Sequence, residues 1–244
     1  SERNERAGCN LRLEAVDIVA GPAARWRHSA THVRIGSRDV LVVLGGRGTD
    51  AKTFSLDEGW LLDCDELSWK CCPIFATDGS LPCARHSHAA AAIASQGLLM
   101  ICGGLDASEE LLGDAWILQR DDDRDSFAWR RSTSPLPRPR YGHHLHVFRG
   151  FHIVVGGIEW TCETAPICCN GVPMNVHHDE EDKEDDFFMW HNIATVMLHS
   201  TAQVLILGGG GNCFSFGTQL NPTARILQLS SVIAAVETQS AQSQ

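Results

Sequence analysis

Between residues 130 and 149 the chain gathers five arginines (Arg130, Arg131, Arg138, Arg140 and Arg149) and three histidines (His143, His144 and His146) around Tyr141. Guanidinium groups pair with phosphate oxygens, and a tyrosine ring can stack on a base. Arg130, Arg131, Arg138, Tyr141 and His144 are therefore candidates for a nucleic-acid-facing or partner-facing patch. The competing reading is structural, with Arg140 and His143 serving the framework and Arg138 lying in a proline-rich, solvated loop. A second set, His177-His178-Asp179-Glu180, has metal-ligand chemistry. Adjacent side chains on an extended chain point to opposite sides, and a strongly acidic run follows, so a solvated loop is expected there. A third stretch, "GGGGNCFSFGTQLNP" at 208–222, invites a phosphate cradle. That cradle needs G-x-x-x-x-G-K-[ST] feeding a helix, whereas no lysine follows here and the aromatics alternate as in a strand. Cys213 is the best thiol candidate, although burial at a strand end is the expected fate. No catalytic, cofactor-binding or metal-ligating residue is nominated.

Composition narrows the setting. The 244 residues are 43% hydrophobic, enough for a sizeable core. The net charge is −10, of which DEEDKEDD at 179–186 supplies −6. That balance opposes indiscriminate nucleic-acid binding and leaves room for a local basic patch. Ten cysteines include the adjacent pairs Cys71–Cys72 and Cys168–Cys169 but no C-x-x-C, so reduced thiols and an intracellular, cytoplasmic setting are expected rather than a zinc ribbon. The chain starts at Ser1 with no apolar leader, and its apolar runs are strand-sized, so a fragment or processed product without a membrane span is expected.

These residues sit within an internal repeat. Arg25-Trp-Arg-His28, Arg85-His-Ser-His88 and Arg140-Tyr-Gly-His143 share R-x-x-H, and His191 opens a fourth, weaker unit. Each leads to an apolar run closed by two glycines: Gly45-Gly46, Gly103-Gly104, Gly156-Gly157 and Gly208-Gly209. The first glycines lie 58, 53 and 52 residues apart. Trp60, Trp69, Trp116 and Trp129 mark two further strands after the first two pairs. A period near fifty with a glycine pair closing a buried strand is the kelch signature. The fold class is therefore an all-β kelch-type propeller with about four blades visible, part of a larger one. Residues that recur in every unit are assigned to hydrogen bonds between blades or with loop carbonyls. Blades are expected over 21–229, with 1–20 an outer strand of a preceding blade or a tail. An acidic insertion is expected at about 160–186, and a flexible tail at 230–244.

"GGGGNCFSFGTQLNP", "LPRPRYGHHLHV" and "FHIVVGGIEW" together resemble the C-terminal kelch region of the tRNA wybutosine-synthesising protein 4 family, also called the leucine carboxyl methyltransferase 2 family. The resemblance covers roughly residues 22–229. It implies a parent enzyme that uses S-adenosylmethionine to methylate and methoxycarbonylate the modified base at position 37 of phenylalanine tRNA. The methyltransferase domain of that family is missing from this chain, which has no G-x-G-x-x-G after a strand. The implied role is thus a non-catalytic module that positions tRNA, with no cofactor of its own, no membrane, and the absent methyltransferase domain as partner. The alternative is a general kelch interaction module, such as a substrate receptor of a ubiquitin ligase.

Overall fold

A computed structural model describes residues 21–93, 98–121, 126–159, 167–174, 193–213, 217–220 and 224–242. Its sheets are the blades of a kelch-type β-propeller. Strand β1 (Arg25–Trp26) leads into a first antiparallel meander of β2 (Ser29–Ile35), β3 (Arg38–Leu44), β5 (Glu58–Asp63) and β6 (Ser68–Ala76), while β4 (Arg47–Gly48) pairs back to β1. The second blade is β7 (Ala89–Ala92), β8 (Leu99–Cys102), β9 (Ala115–Asp121) and β10 (Ser126–Arg131). The third is β11 (His144–Phe148), β12 (Phe151–Val155), β13 (Ile167–Cys169) and β14 (Val172–Met174). The fourth is β15 (Ile193–Leu198), β16 (Gln203–Gly208) and β19 (Arg225–Gln228). The first strands of successive blades touch in the order β2, β7, β11, β15, as the inner ring of a propeller requires.

The run VLVVL is apolar because β3 is second in its blade and the described blades pack face to face. Val42, Leu44, Leu99, Ile101, Leu118 and Trp129 share one core between blades one and two. Leu136, Leu145, Val154 and Cys168 lie with Met100 and Ile117 between blades two and three. Strand β6 outruns its blade, and Ile74, Phe75 and Ala76 pair in parallel with Phe127, Ala128 and Trp129 of β10. The buried Trp129 indole donates to the Leu56 carbonyl at 2.7 Å, which ties this seam to the core.

Two expectations are corrected. Residues 167–174, expected inside an insertion, are the outer strands of blade three, and Ile167, Cys168 and Cys169 are fully buried there. The rest of that stretch and the His177–Glu180 set lie outside the described residues, as do 1–20. The expected tail is instead helix α1 (Leu229–Gln242), continuous with β19. Leu229, Val232 and Val236 recur at i, i+3 and i+7 and pack with Phe148, Ile153, Val155 and Val204. A polar-looking end thereby completes the core of blades three and four. In the glycine run, Gly208 and Gly209 have positive φ. Gly210 and Gly211 pair across a hairpin, β17 (Gly210–Cys213) with β18 (Gly217–Leu220).

Candidate functional site

The recurrent arginines do the same thing in three blades. Arg25, Arg85 and Arg140 each donate from Nη1 to the carbonyl of their own blade's first glycine, Gly45, Gly103 and Gly156, at 3.1 Å. The second glycine then reaches the next blade: Gly46 N–H donates to Arg85 O at 2.9 Å, and Gly104 N–H to Arg140 O at 2.8 Å. Arg85 and Arg140 are fully buried, and a buried cation needs a partner. Arg85 pairs at two points with Asp114, at 2.7 and 2.8 Å, and Arg140 lies 2.5 Å from Glu159. Burial alone would raise the Asp114 carboxyl, but Arg85 and the Trp116 indole outweigh it and hold it below the ordinary value.

The recurrent histidines close the same joints. His88 Nε2 meets the Ser29 hydroxyl at 2.8 Å, and His143 Nε2 meets Cys102 Sγ at 3.3 Å. Burial beside arginines pushes both rings down to about 3, so they are neutral at physiological pH. The Cys102–His143 pair is a thiol beside an imidazole, the arrangement of a nucleophile and its base. Burial raises the Cys102 thiol while the ring stays neutral, and both side chains are buried, away from the central cavity. It is a packing contact. His28 packs its Cβ against Gly46, and His191 lies outside the described residues.

The arginine and histidine cluster of 130–149 is divided by the fold. Arg138 pairs with Glu159 at 3.8 Å, and Tyr141 bridges backbone to Ile158. His144 Nε2 lies 2.9 Å from the Ile193 carbonyl and His146 Nε2 2.8 Å from the Thr195 hydroxyl, so both fasten blade three to blade four. Arg131 sits over the Trp116 ring at 5.8 Å, and Arg130 lines a cleft between blades two and three. Arg149 and His146 reach the centre.

There the four inner strands enclose a cavity of about 1100 Å³ lined by residues that include His32, Arg34, His146, Phe148, Arg149 and His199. Phe148 forms part of its wall, with the Arg149 guanidinium 5.2 Å above the ring and the His199 ring 6.3 Å away. Among the described residues no carboxylate lines it, and Asp39 holds His32 from the side at 2.9 Å. Burial, with His144 and His199 adjacent, pushes His146 down to about 4, so the fixed positive charge is that of Arg34 and Arg149. A wide cavity with two guanidiniums and imidazoles can receive an anionic ligand. His32 and Arg34 escaped the sequence reading because they lie over a hundred residues from Arg149. Their alternation at i and i+2 on a first strand was the available signal.

The one helix among the described residues follows β19 directly, with no glycine-rich turn before it. Among them no group of three or more His, Cys, Asp or Glu is placed to hold a metal. No helix among them is long and apolar enough to cross a membrane.

The KLHDC2/KLHL20/DRC7 Kelch-repeats domain model matches residues 12–179. The chain is 36% identical over 215 residues to human tRNA wybutosine-synthesizing protein 4, a match covering 86% of this chain and 30% of that protein. For the rat protein of the same name the identity is 35% over 239 residues, covering 95% and 33%. The F-box/kelch-repeat protein At1g51550 of Arabidopsis thaliana is 33% identical over 140 residues, covering 56% and 28%. The chain thus spans about a third of the length of these curated relatives.

Proposed function

The chain belongs to the kelch-repeat domain family, and from that premise we propose that it is the tRNA-holding module of an enzyme that completes wybutosine. The proposed substrate of the parent is phenylalanine tRNA, modified at position 37 with S-adenosylmethionine as donor. The donor binds outside this chain, and the setting is intracellular. The observation that carries the reading is the similarity to tRNA wybutosine-synthesizing protein 4, which runs through most of the chain. The central cavity is consistent with it: Arg34 and Arg149 offer charge to phosphates. The module acts by holding and orienting RNA rather than by chemistry, since its Cys–His contact is buried and un-ionised.

Fluorescence anisotropy with a labelled phenylalanine tRNA transcript tests this. Binding that weakens steeply with salt, and weakens further in Arg34→Gln/Arg149→Gln, is expected. No binding by the wild type at low salt overturns the RNA-holding role. A second reading, a protein-interaction module such as a ubiquitin-ligase substrate receptor, is favoured by the F-box/kelch-repeat relative. It predicts the absence of tRNA binding in the same experiment.

A further inference from the structure

Beside the central cavity lies a smaller one of about 220 Å³ in the cleft between blades two and three. Ile93, Val147 and Gly150 line both, so the two share a wall. Its polar lining is Arg130, Ser132, Thr133, Ser134, His152 and Asn170, with no carboxylate among the described residues. Arg130 is anchored through Nε to Gln119 at 3.3 Å, which leaves its two terminal amino groups for a ligand. The hydroxyl loop is fixed at its start, where Ser132 N–H donates to Ala115 O at 2.8 Å and Ser134 N–H to the Ser132 hydroxyl at 3.2 Å. Asn170 grips the backbone of His152 from both sides: its Oδ1 accepts from His152 N–H at 2.8 Å, and its own N–H donates to His152 O at 2.9 Å. The Asn170 amide nitrogen remains as a donor. His152 Nδ1 is buried and has no hydrogen-bond partner among the described residues. A buried polar atom without a partner calls for a water or a ligand.

The chemistry of this lining is one-sided. A guanidinium, three hydroxyls, an amide and an imidazole can all donate, and among the described residues no carboxylate of the lining opposes an anion. Burial holds the His152 ring below its ordinary value, so Arg130 supplies the one full charge of the lining at neutral pH. The volume is below that of drug-sized ligand pockets, which begin at about 300 Å³, but it suits a single tetrahedral oxyanion.

We propose that this cleft is a phosphate-binding subsite that takes one backbone phosphate of the RNA whose neighbouring nucleotide enters the central cavity. The inference rests on the RNA-holding reading above. The shared wall places the two sites side by side, so a strand crossing Ile93, Val147 and Gly150 reaches both. Arg130 makes the charge-assisted contact and the 132–134 hydroxyls fix the orientation of the phosphate oxygens.

The test uses the whole 244-residue chain with two probes, inorganic phosphate and a phenylalanine tRNA transcript, on wild type, Arg130→Gln and Thr133→Val. Millimolar phosphate should raise the melting temperature of the wild type above that in chloride of equal ionic strength, and should not do so for Arg130→Gln. Both variants should melt near the wild-type temperature in chloride. Arg130→Gln should weaken tRNA binding about tenfold and lower the salt slope by nearly one. Thr133→Val should weaken it less and leave the slope unchanged. Wild-type affinity and slope in both variants, with tRNA still bound, overturn the subsite and leave the RNA-holding reading intact. Phosphate stabilisation lost in Arg130→Gln without any change in tRNA binding overturns the RNA assignment of the site. Failure of the wild type to bind tRNA at all defeats the underlying reading instead.

Discussion

The ring of His88 in blade two lies 2.8 Å from the hydroxyl of Ser29 in blade one, and His143 repeats the joint by meeting Cys102 in blade two. Both rings are buried and neutral, held down to about 3. The unfolded chain returns them to about 6.5, so between those values it binds more protons than the folded one. The stability these rings contribute is complete above about pH 6.5 and is lost as pH falls toward 3, at up to about 1.4 kcal/mol per pH unit for each ring. Urea unfolding at pH 7 and pH 4.5 should show His143→Gln less acid-sensitive than wild type by about one proton. Equal acid sensitivity in the two proteins counts against the buried neutral joint.

Gly103 makes a sharper test of the blade seam. Its φ is +60°, and an added Cβ would lie 2.6 Å from the Arg140 carbonyl oxygen and 2.6 Å from the His143 ring. Gly103→Val should therefore lose about 4 kcal/mol or more, enough to prevent folding. Gly36, at φ +63° with nothing within 4 Å, should lose only about 1 kcal/mol as Ala. A normal melting temperature for Gly103→Val would remove the glycine from the seam.

Helix α1 gives the third prediction. Leu229 is fully buried in the core of blades three and four, so Leu229→Ala should cost about 2–5 kcal/mol. A chain ending at residue 228 should melt well below the full chain. A frayed end would tolerate both changes, and tolerance measured by calorimetry contradicts the packed helix.

How much of this was legible follows from how local each signal was. The glycine pairs, R-x-x-H starts and tryptophans were readable because each blade repeats them within about fifty residues. The strands closed by the glycine pairs, β3, β8, β12 and β16, lie where those markers placed them, and Arg25, Arg85 and Arg140 each bond to the carbonyl of the first glycine of a pair. Strands β13 and β14 were obscured because only eight residues, with an adjacent cysteine pair, lie beside the acidic run. Ser and Gln around Leu229, Val232 and Val236 hid a helix whose i, i+3, i+7 spacing was present. The central cavity could not be read linearly, since His32, Arg149 and His199 converge only when successive blades pack side by side.

The measurement closest to the central claim is the wybutosine content of phenylalanine tRNA, by nucleoside mass spectrometry, in cells lacking the gene that encodes this chain. Re-supply with the wild-type gene should restore wybutosine. Re-supply with Arg34→Gln/Arg149→Gln, at equal protein level, should leave much of the base unfinished. Full wybutosine in the cells lacking the gene, or full restoration by the variant, would contradict the account.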